Sequence, residues 1–179
     1  MRARIPKRKR IFLGCEGQSE QSYGAFLQLL ADEDDLAVHI HAVVFVGGDP
    51  LAIVKEAADR VRRASEPYAF RAVLLDRDRF GLTPARDNQI PLIARQSSLE
   101  LIWQDTCHEG FLLRHMPGQE HRRPASTQIA HRELRAVWPD YEKGMLARDI
   151  RRTLDKAAVV RAAGVEAKLA ALLAQIGLR

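Results

Sequence analysis

Two carboxylates, Asp76 and Asp78, follow directly on an apolar run that begins at Ala72, with one residue between them. Such a short apolar run is typical of a strand that is buried on both faces of a parallel sheet. Its end then lies at the carboxyl edge of the sheet, where open α/β sheets bind their ligands. Neighbouring carboxylates repel each other unless a cation or a proton separates them, and Mg²⁺ binds one or two carboxylates together with substrate phosphates. The pair favours a metal-assisted phosphate site; the alternative is a solvated acidic turn with Arg77 and Arg79 as its counterions.

A third carboxylate, Glu16, follows the first predicted strand, residues 10–15. Gly17 permits a tight turn or a close backbone approach, and Ser19 is predicted to cap the helix that follows. The amino-terminal end of a helix also attracts phosphate. We therefore expect Glu16 to be functional, whereas Glu20, in the first helical turn, is explained equally well by the helix dipole.

The elements that must position these carboxylates are apolar runs that alternate with amphipathic helices. The predicted strands are residues 10–15, 40–46, 72–75 and 99–103. Asp49 is predicted to cap a helix whose first residue is Pro50. The expected fold class is α/β, with a roughly four-stranded, mainly parallel sheet that is flanked by helices and carries a helical C-terminal extension.

The fourth predicted strand leads into a polar junction that contains His108 and Glu109 and continues to His115. Glu109 lies in a predicted first helical turn, where the helix dipole also explains an acidic residue. The two histidines are seven residues apart and share a helix face if the helix runs that far. Neither forms a metal site without a third ligand.

Length, charge and cysteine usage set the broader class of protein. The 179 residues fit three units: a basic arm (1–10), an α/β core (11–120) and a helical extension (121–179), in which two helices are predicted to meet near Gly164. The formal charge of +5 is compatible with a polyanionic partner.

The two cysteines, Cys15 and Cys107, are far apart in the sequence and do not have the spacing of zinc ligands. They are interpreted as reduced thiols. The apolar run after the basic arm is too short for a signal peptide or a membrane span, so we expect a cytoplasmic protein with no membrane partner.

The order and spacing of these short motifs closely resemble the RloB-like family over nearly the whole chain. The residues that carry the resemblance are Cys15-Glu16-Gly17-Gln18-Ser19-Glu20 with Tyr23, Gly47-Gly48-Asp49-Pro50-Leu51, Leu75-Asp76-Arg77-Asp78, Cys107-His108-Glu109 with Leu112, Leu113 and His115, and Tyr141 with Lys143. The resemblance implies a Toprim-like fold, the metal-binding core shared by topoisomerases, bacterial primases and certain nucleases. It also implies a place in bacterial defence or restriction loci, beside an ATP-binding partner protein.

The resemblance further implies residue roles. Glu16 matches the Toprim glutamate, a general acid/base or metal ligand, and Asp76 and Asp78 match the Asp-x-Asp metal ligands. Lys143 matches a lysine that follows a tyrosine in the family motif and is expected to contact a phosphate. The implied cofactor is Mg²⁺, with Mn²⁺ as a substitute.

The chain departs from the family pattern around its fourth strand. Thr106 and His108 stand where the family usually has a proline and an aromatic residue, and Gly110 stands where a large apolar residue is common. Glu109 and His115 match family positions whose roles the resemblance does not specify. The departures concern the substrate side of the pocket, because the three acidic positions are intact.

The function expected from the sequence is a Mg²⁺-dependent phosphodiester hydrolase, a nuclease that acts on RNA or DNA as the effector of an anti-phage or restriction-associated defence system. An AAA- or ABC-type ATPase is the expected partner, and a homo-oligomer is compatible with the sequence. The alternative is a non-catalytic subunit that binds nucleic acid or a partner and retains a vestigial site.

Overall fold

The computed structural model describes residues 7–45 and 48–179. Within them, four strands form one parallel sheet in the order β2-β1-β3-β4. The strands are β1 (Lys9–Cys15), β2 (Val38–Val44), β3 (Phe70–Asp76) and β4 (Glu100–Gln104). The α/β fold class with a parallel sheet is thus confirmed. Lys9 and Arg10, at the end of the predicted basic arm, belong to β1, and the first six residues lie outside the described part.

Helices connect the strands and continue after the last one. They are α1 (Gln18–Glu33), α2 (Pro50–Arg62), α3 (Pro84–Asp87), α4 (Ile90–Gln96), α5 (His108–Leu113), α6 (Thr127–Val137), α7 (Ala147–Thr153), α8 (Lys156–Ala163) and α9 (Ala167–Ile176). Asp49 caps α2 by accepting a hydrogen bond from the backbone N–H of Leu51, and Pro50 is the first residue of that helix, as predicted. Ser126 caps α6 in the same way. No helix in the described ranges is long and apolar enough to cross a membrane.

Two hydrophobic cores cover the two faces of the sheet. On one face, α1 packs with α5 and the C-terminal helices in one continuous core that includes Tyr23, Leu134 and Leu172. On the other face, α2 and α4 pack against the alternate residues of the strands, among them Phe12 and Leu75. The C-terminal helices therefore share a hydrophobic core with the sheet.

Several predicted boundaries differ from the observed ones. The strand predicted at residues 40–46 runs from Val38 to Val44; Val46, like Gly47, lies outside the described residues. The fourth strand begins and ends one residue later than predicted. Helix α5 ends at Leu113, so His108 and His115 do not lie on one helix face. The C-terminal region has an additional break, because Asp155 caps α8 by accepting from the N–H of Ala158.

Ser19 is not the N-cap of α1. Gly17 occupies the cap position, and the carboxylate of Glu20 accepts a hydrogen bond from the Gly17 N–H at 3.0 Å. Glu20 thus gives the backbone N–H of Gly17 a hydrogen-bond partner at the start of the helix. Ser19 lies one residue inside the helix, where its hydroxyl is free to accept from another segment of the chain.

Candidate functional site

The strand order places β1 and β3 side by side at the centre of the sheet. From β1 the chain moves to β2 on one side, and it later returns to β3 on the other side. Such a reversal of strand order opens a crevice beyond the carboxyl ends of the two strands, where α/β proteins bind ligands. Glu16 follows the end of β1, and Asp76 is the last residue of β3. The topology alone therefore brings both carboxylates to the same crevice.

Glu16 and Asp76 are joined directly. The Oε2 atom of Glu16 accepts a hydrogen bond from the backbone N–H of Asp76 at 3.0 Å. The Oδ1 atom of Asp76 is buried and finds no hydrogen-bond partner among the described residues. A buried carboxylate oxygen without a partner lowers the stability of the fold, because the group has lost its hydration and no hydrogen bond replaces it. This oxygen is therefore available for a cation or a proton.

The electrostatics of the crevice oppose the charged form of both carboxylates. Burial, reinforced by the charges of Glu20, Glu16, Asp78 and Glu109, raises the pKa of Asp76 to about 9. Burial also raises the pKa of Glu16, although the hydrogen bond from the Asp76 backbone acts in the opposite direction. A proton or a cation relieves this repulsion, as expected for clustered carboxylates.

Asp78 lies on the exposed turn that follows β3 and lines the same cleft, which has a volume of about 470 Å³. The neighbouring Arg79 donates to the carbonyl oxygen of Gly48 at 2.5 Å and so ties this turn to the start of α2. The described residues that line the cleft are Glu16, Gly17, Gln18, Ser19, Glu20, Gly48, Asp76, Asp78, Arg79, His108, Lys143 and Gly144. The structure thus brings together the three predicted metal ligands and Lys143.

Lys143 reaches the cleft from the distant C-terminal region. The next residue, Gly144, has a positive φ of 79°, a conformation that glycine adopts without strain. Its N–H donates to the hydroxyl of Ser19 at 3.1 Å, so the turn is fixed to the amino-terminal end of α1. The Lys143 side chain is exposed and lines the same cleft as the carboxylates. Basic groups beside a helix start are suited to bind a phosphate.

His108 and Glu20 form a buried polar pair in the wall of the cleft. His108 is 3% exposed and Glu20 4%, and the His108 Nδ1 atom lies 3.6 Å from a Glu20 carboxylate oxygen and 2.8 Å from the Gln104 amide nitrogen. Burial lowers the pKa of His108 in spite of the two nearby glutamates, so its ring is neutral. Its Nε2 atom has no hydrogen-bond partner in the part of the chain that the structure describes.

Glu109 and His115 lie below the cleft and are absent from its described lining. Glu109 accepts a hydrogen bond from the Tyr141 hydroxyl at 3.3 Å. Burial acts to raise the pKa of Glu109, but hydrogen bonds from the Cys107 thiol and the backbone prevail, with help from the charge of Lys143, and lower it. Glu109 thus stays ionised and connects α5 to the segment that carries Lys143.

His115 is fully buried, and both of its ring nitrogens are satisfied. Its Nδ1 lies 3.0 Å from the carbonyl oxygen of Phe111, and its Nε2 lies 2.8 Å from the Tyr23 hydroxyl. Because a carbonyl only accepts, Nδ1 carries the proton and Nε2 accepts from Tyr23. Burial lowers the pKa of His115 to about 3. In this arrangement His115 stabilises the contact between α1 and α5.

The three departures from the family pattern have local explanations. A Cβ atom on Gly110 would lie 2.7 Å from the carbonyl oxygen of Asp105, so a larger residue does not fit here. His108 packs among the rings of Tyr23 and Phe111 in a place that suits an aromatic residue. Thr106 donates a hydrogen bond to the carbonyl oxygen of Pro124. These contacts lie on the α5 side of the cleft and leave Asp76 and Asp78 untouched.

The donor chemistry of the cleft fits a hard divalent cation. Carboxylate oxygens are the ligands that Mg²⁺ and Mn²⁺ prefer, and the unpartnered Oδ1 of Asp76 lies among them. Across residues 7–45 and 48–179, no three His, Cys, Asp or Glu side chains stand close enough to hold an ion without rearrangement. A cation bound by Glu16, Asp76 and Asp78 would therefore draw at least one of them into a new rotamer, and the exposed Asp78 is the least restrained.

Comparisons with protein-family models, with curated proteins and with solved structures found no match for this chain.

Sequence reasoning missed the contributions of three residues to this site. The sequence indicates Arg79 only as a counterion, but it also fixes the turn that carries Asp78. The sequence predicts Ser19 as a helix cap, whereas its hydroxyl holds the turn next to Lys143. The burial of His108 beside Glu20 depends on tertiary packing, and the only signal in the sequence was its place between an apolar strand and an apolar helix.

Proposed function

We propose that the protein is a metal-dependent phosphodiester hydrolase of the RloB-like type, in which Glu16, Asp76 and Asp78 hold Mg²⁺ or Mn²⁺. One observation carries the proposal: carboxylates from the ends of two adjacent central strands meet in one cleft, and a buried oxygen of Asp76 lacks a partner among the described residues. The fold supports the proposal, because this cleft lies at the point where the strand order reverses.

The chain's own residues divide the remaining work. A bound divalent cation would polarise the phosphodiester and lower the pKa of an attacking water. Lys143 and Arg79 hold the flanking phosphate oxygens at the rim of the cleft, together with the amino-terminal end of α1. The alternative role of Glu16 is proton transfer in place of metal ligation: burial raises its pKa, and its Oε1 atom is placed to take up a proton while Oε2 stays on the Asp76 backbone.

The proposed substrate is nucleic acid, either RNA or DNA, in line with the net charge of +5. The proposed setting is the bacterial cytoplasm, where the protein acts as the effector of an anti-phage or restriction-associated defence system. An AAA- or ABC-type ATPase is the proposed partner. These assignments rest on the family resemblance and on the charge, and a homo-oligomer is compatible with them.

A second candidate is a non-catalytic subunit with a vestigial site. It is favoured by the observation that, in the described ranges, the acidic side chains do not already converge on a three-ligand position. Such a subunit binds nucleic acid through the rim of Lys143 and Arg79 without binding metal. The two candidates therefore differ first in metal affinity.

The experiment is a calorimetric titration of Mg²⁺ and of Mn²⁺ into the wild-type protein and the Asp76→Asn, Asp78→Asn double variant. The charge-matched control is the Asp34→Asn, Asp35→Asn variant, which alters two exposed carboxylates at the far end of α1. We expect metal binding in the wild type and the control, and its loss in the cleft variant. Equal binding by all three proteins, or binding by none, would contradict the proposal and support the vestigial site.

A further inference from the structure

A pair of partly exposed aromatic rings, Phe80 and Trp103, lies at the carboxyl edge of the sheet, outside the described lining of the acidic cleft. Their ring centroids are 4.6 Å apart and their planes are inclined by 55°, so the two rings pack against each other as a tilted pair. The guanidinium carbon of Arg77 lies 5.9 Å from the centre of the Trp103 ring. We call Phe80, Trp103 and Arg77 the aromatic platform.

The backbone places the platform at the same edge of the sheet as the carboxylates. Trp103 on β4 pairs with Leu75 and lies with it on the α2 side of the sheet, whereas Asp76, the next residue of β3, belongs to the α1 side. After β3 the chain turns back at once, because the N–H of Phe80 donates to the carbonyl oxygen of Arg77 at 3.1 Å. Phe80 follows Asp78 by two residues, so their Cα atoms are at most about 7 Å apart.

The exposure of Phe80 is unusual for this chain. Phe80 is 38% exposed and is the one aromatic side chain among the exposed large hydrophobics of the described ranges. Tyr23, Tyr141 and Trp138, by contrast, are almost completely buried. Leu82, two residues after Phe80, is 75% exposed. An exposed apolar group that is rimmed by polar residues commonly marks a binding surface.

Two arginines beside the platform are placed to contact an anionic occupant. Arg77 and Arg79 flank Asp78 on the turn, and the half-exposed Arg77 pairs with Asp105 at 3.1 Å. An exposed ion pair of this kind contributes little to stability, so Arg77 is readily released from Asp105 to contact another anion. Aromatic faces beside arginines are the arrangement by which proteins bind unpaired bases along a phosphate backbone.

We propose that the aromatic platform binds an unpaired base of single-stranded nucleic acid whose neighbouring phosphate lies at the acidic cleft. This inference rests on the proposed function and specifies its substrate as single-stranded RNA or DNA. A duplex is excluded from the platform because its bases are paired and stacked, and their faces are not available to Phe80 or Trp103.

The test measures the binding of a fluorescein-labelled single strand by fluorescence anisotropy in EDTA, with the Asp76→Asn, Asp78→Asn protein as the parent. This background removes both cleavage and carboxylate repulsion, so the result does not depend on metal binding, which the titration of the wild type tests separately. Phe80→Leu keeps an apolar side chain but removes the aromatic face, and Phe80→Tyr restores it. Leu92→Ala is the control, since Leu92 is 57% exposed and lies on the nearby helix α4.

We expect Phe80→Leu to weaken binding of the single strand by about ten-fold, and Phe80→Tyr and Leu92→Ala to leave it unchanged. Strands of RNA and DNA with the same sequence identify which backbone is preferred. An abasic strand, which keeps its phosphates, is expected to bind equally to the parent and to Phe80→Leu. Base stacking should also quench the emission of Trp103, and Trp103→Phe removes that signal because Trp138 is buried.

Three results would overturn the proposal. The first is the same affinity of the parent and of Phe80→Leu for the single strand, which would leave the exposed Phe80 and Leu82 as a surface for a protein partner. The second is an equal loss of affinity for the abasic strand, which would mean that the substitution acts only on phosphate contacts. The third is the absence of any binding of single strands by the parent protein.

Discussion

Two groups of buried polar residues lie on the α1 side of the sheet, and they differ in how well their atoms are satisfied. In the first, around His115, each ring nitrogen has a partner, one on Tyr23 and one on Phe111. In the second, around Asp76, a carboxylate oxygen and the Nε2 atom of His108 have no partner within the described residues. Fully satisfied polar groups stabilise a unique packing, whereas unsatisfied ones lower stability unless a ligand completes them.

The difference indicates that the two groups serve different purposes. The His115 group connects α1 to α5 and depends on nothing outside the chain. The Asp76 group places like charges together at the reversal of strand order, where the fold gains no stability from them. A region that lowers the stability of the unliganded protein and is well placed for a ligand is a candidate functional site. The comparison can be tested by changing one group at a time.

The largest expected effect comes from the unsatisfied group. Asp76→Asn keeps the shape of the side chain but removes a metal-binding charge, and we expect metal-dependent cleavage of nucleic acid to fall by at least about 100-fold. Toward pH 9 in EDTA, the same variant is expected to unfold at a higher urea concentration than the wild type, because it no longer buries an ionised carboxylate without a partner. Initial cleavage rates and urea midpoints measure the two effects.

The contrasting variant is Tyr23→Phe, which leaves the Nε2 atom of His115 without its donor. We expect a loss of about 1–3 kcal/mol in the free energy of unfolding and little change in the cleavage rate. If Asp76→Asn retained full activity, or Tyr23→Phe abolished it in folded protein, the assignment of function to one group and stability to the other would be wrong.

The strands and several helix ends were largely predictable from the sequence. The apolar runs predicted all four strands, because parallel strands that are buried on both faces need such runs. Where both the predicted and the observed end lie in the described residues, they differ by at most two residues. Asp49 and Pro50 predicted the start of α2, since cap chemistry is local. The missed break before α8 had a local signal too, in Asp155, which the alanine- and leucine-rich composition around it obscured.

The candidate site was predictable only in part. The carboxylates at strand ends could be placed on one edge of the sheet, because parallel strands align their carboxyl ends. The partners that surround them come from distant segments: Gly144 on Ser19, and Tyr141 on Glu109. Such contacts depend on how the C-terminal helices pack, and no local pattern encodes them. The same is true of the unpartnered oxygen of Asp76, which follows from burial and not from residue type.

A smaller but more specific effect is expected in the pH dependence of stability, which should have opposite signs for the two groups. The folded pKa of His115, about 3, lies below its ordinary value of 6.5, so the unfolded chain binds the proton first. Stability is then lost as the pH falls below 6.5. The folded pKa of Asp76, about 9, lies above its ordinary value of 3.8, so stability is lost as the pH rises toward 9.

Urea unfolding in EDTA between about pH 5 and pH 8.5 separates the two contributions, each with a slope of up to about 1.4 kcal/mol per pH unit. Relative to His115→Gln, the wild type should lose stability toward the acidic end. Relative to Asp76→Asn, it should lose stability toward the alkaline end. Slopes of the same sign in both comparisons would show that the two groups do not differ in the way proposed here.

The smallest effect is expected at the rim of the cleft. Lys143 is exposed, and its position is fixed through the backbone of Gly144 rather than through its own side chain. Lys143→Ala should therefore leave the urea midpoint unchanged and weaken nucleic-acid binding by a few-fold, with a shallower dependence of affinity on salt, because one phosphate contact is removed. Lys55→Ala, on the exposed side of α2, is the charge-matched control. An equal loss of affinity in the two variants would show that Lys143 contributes only to the overall charge, and the phosphate would then have to be held by Arg79 and the amino-terminal end of α1.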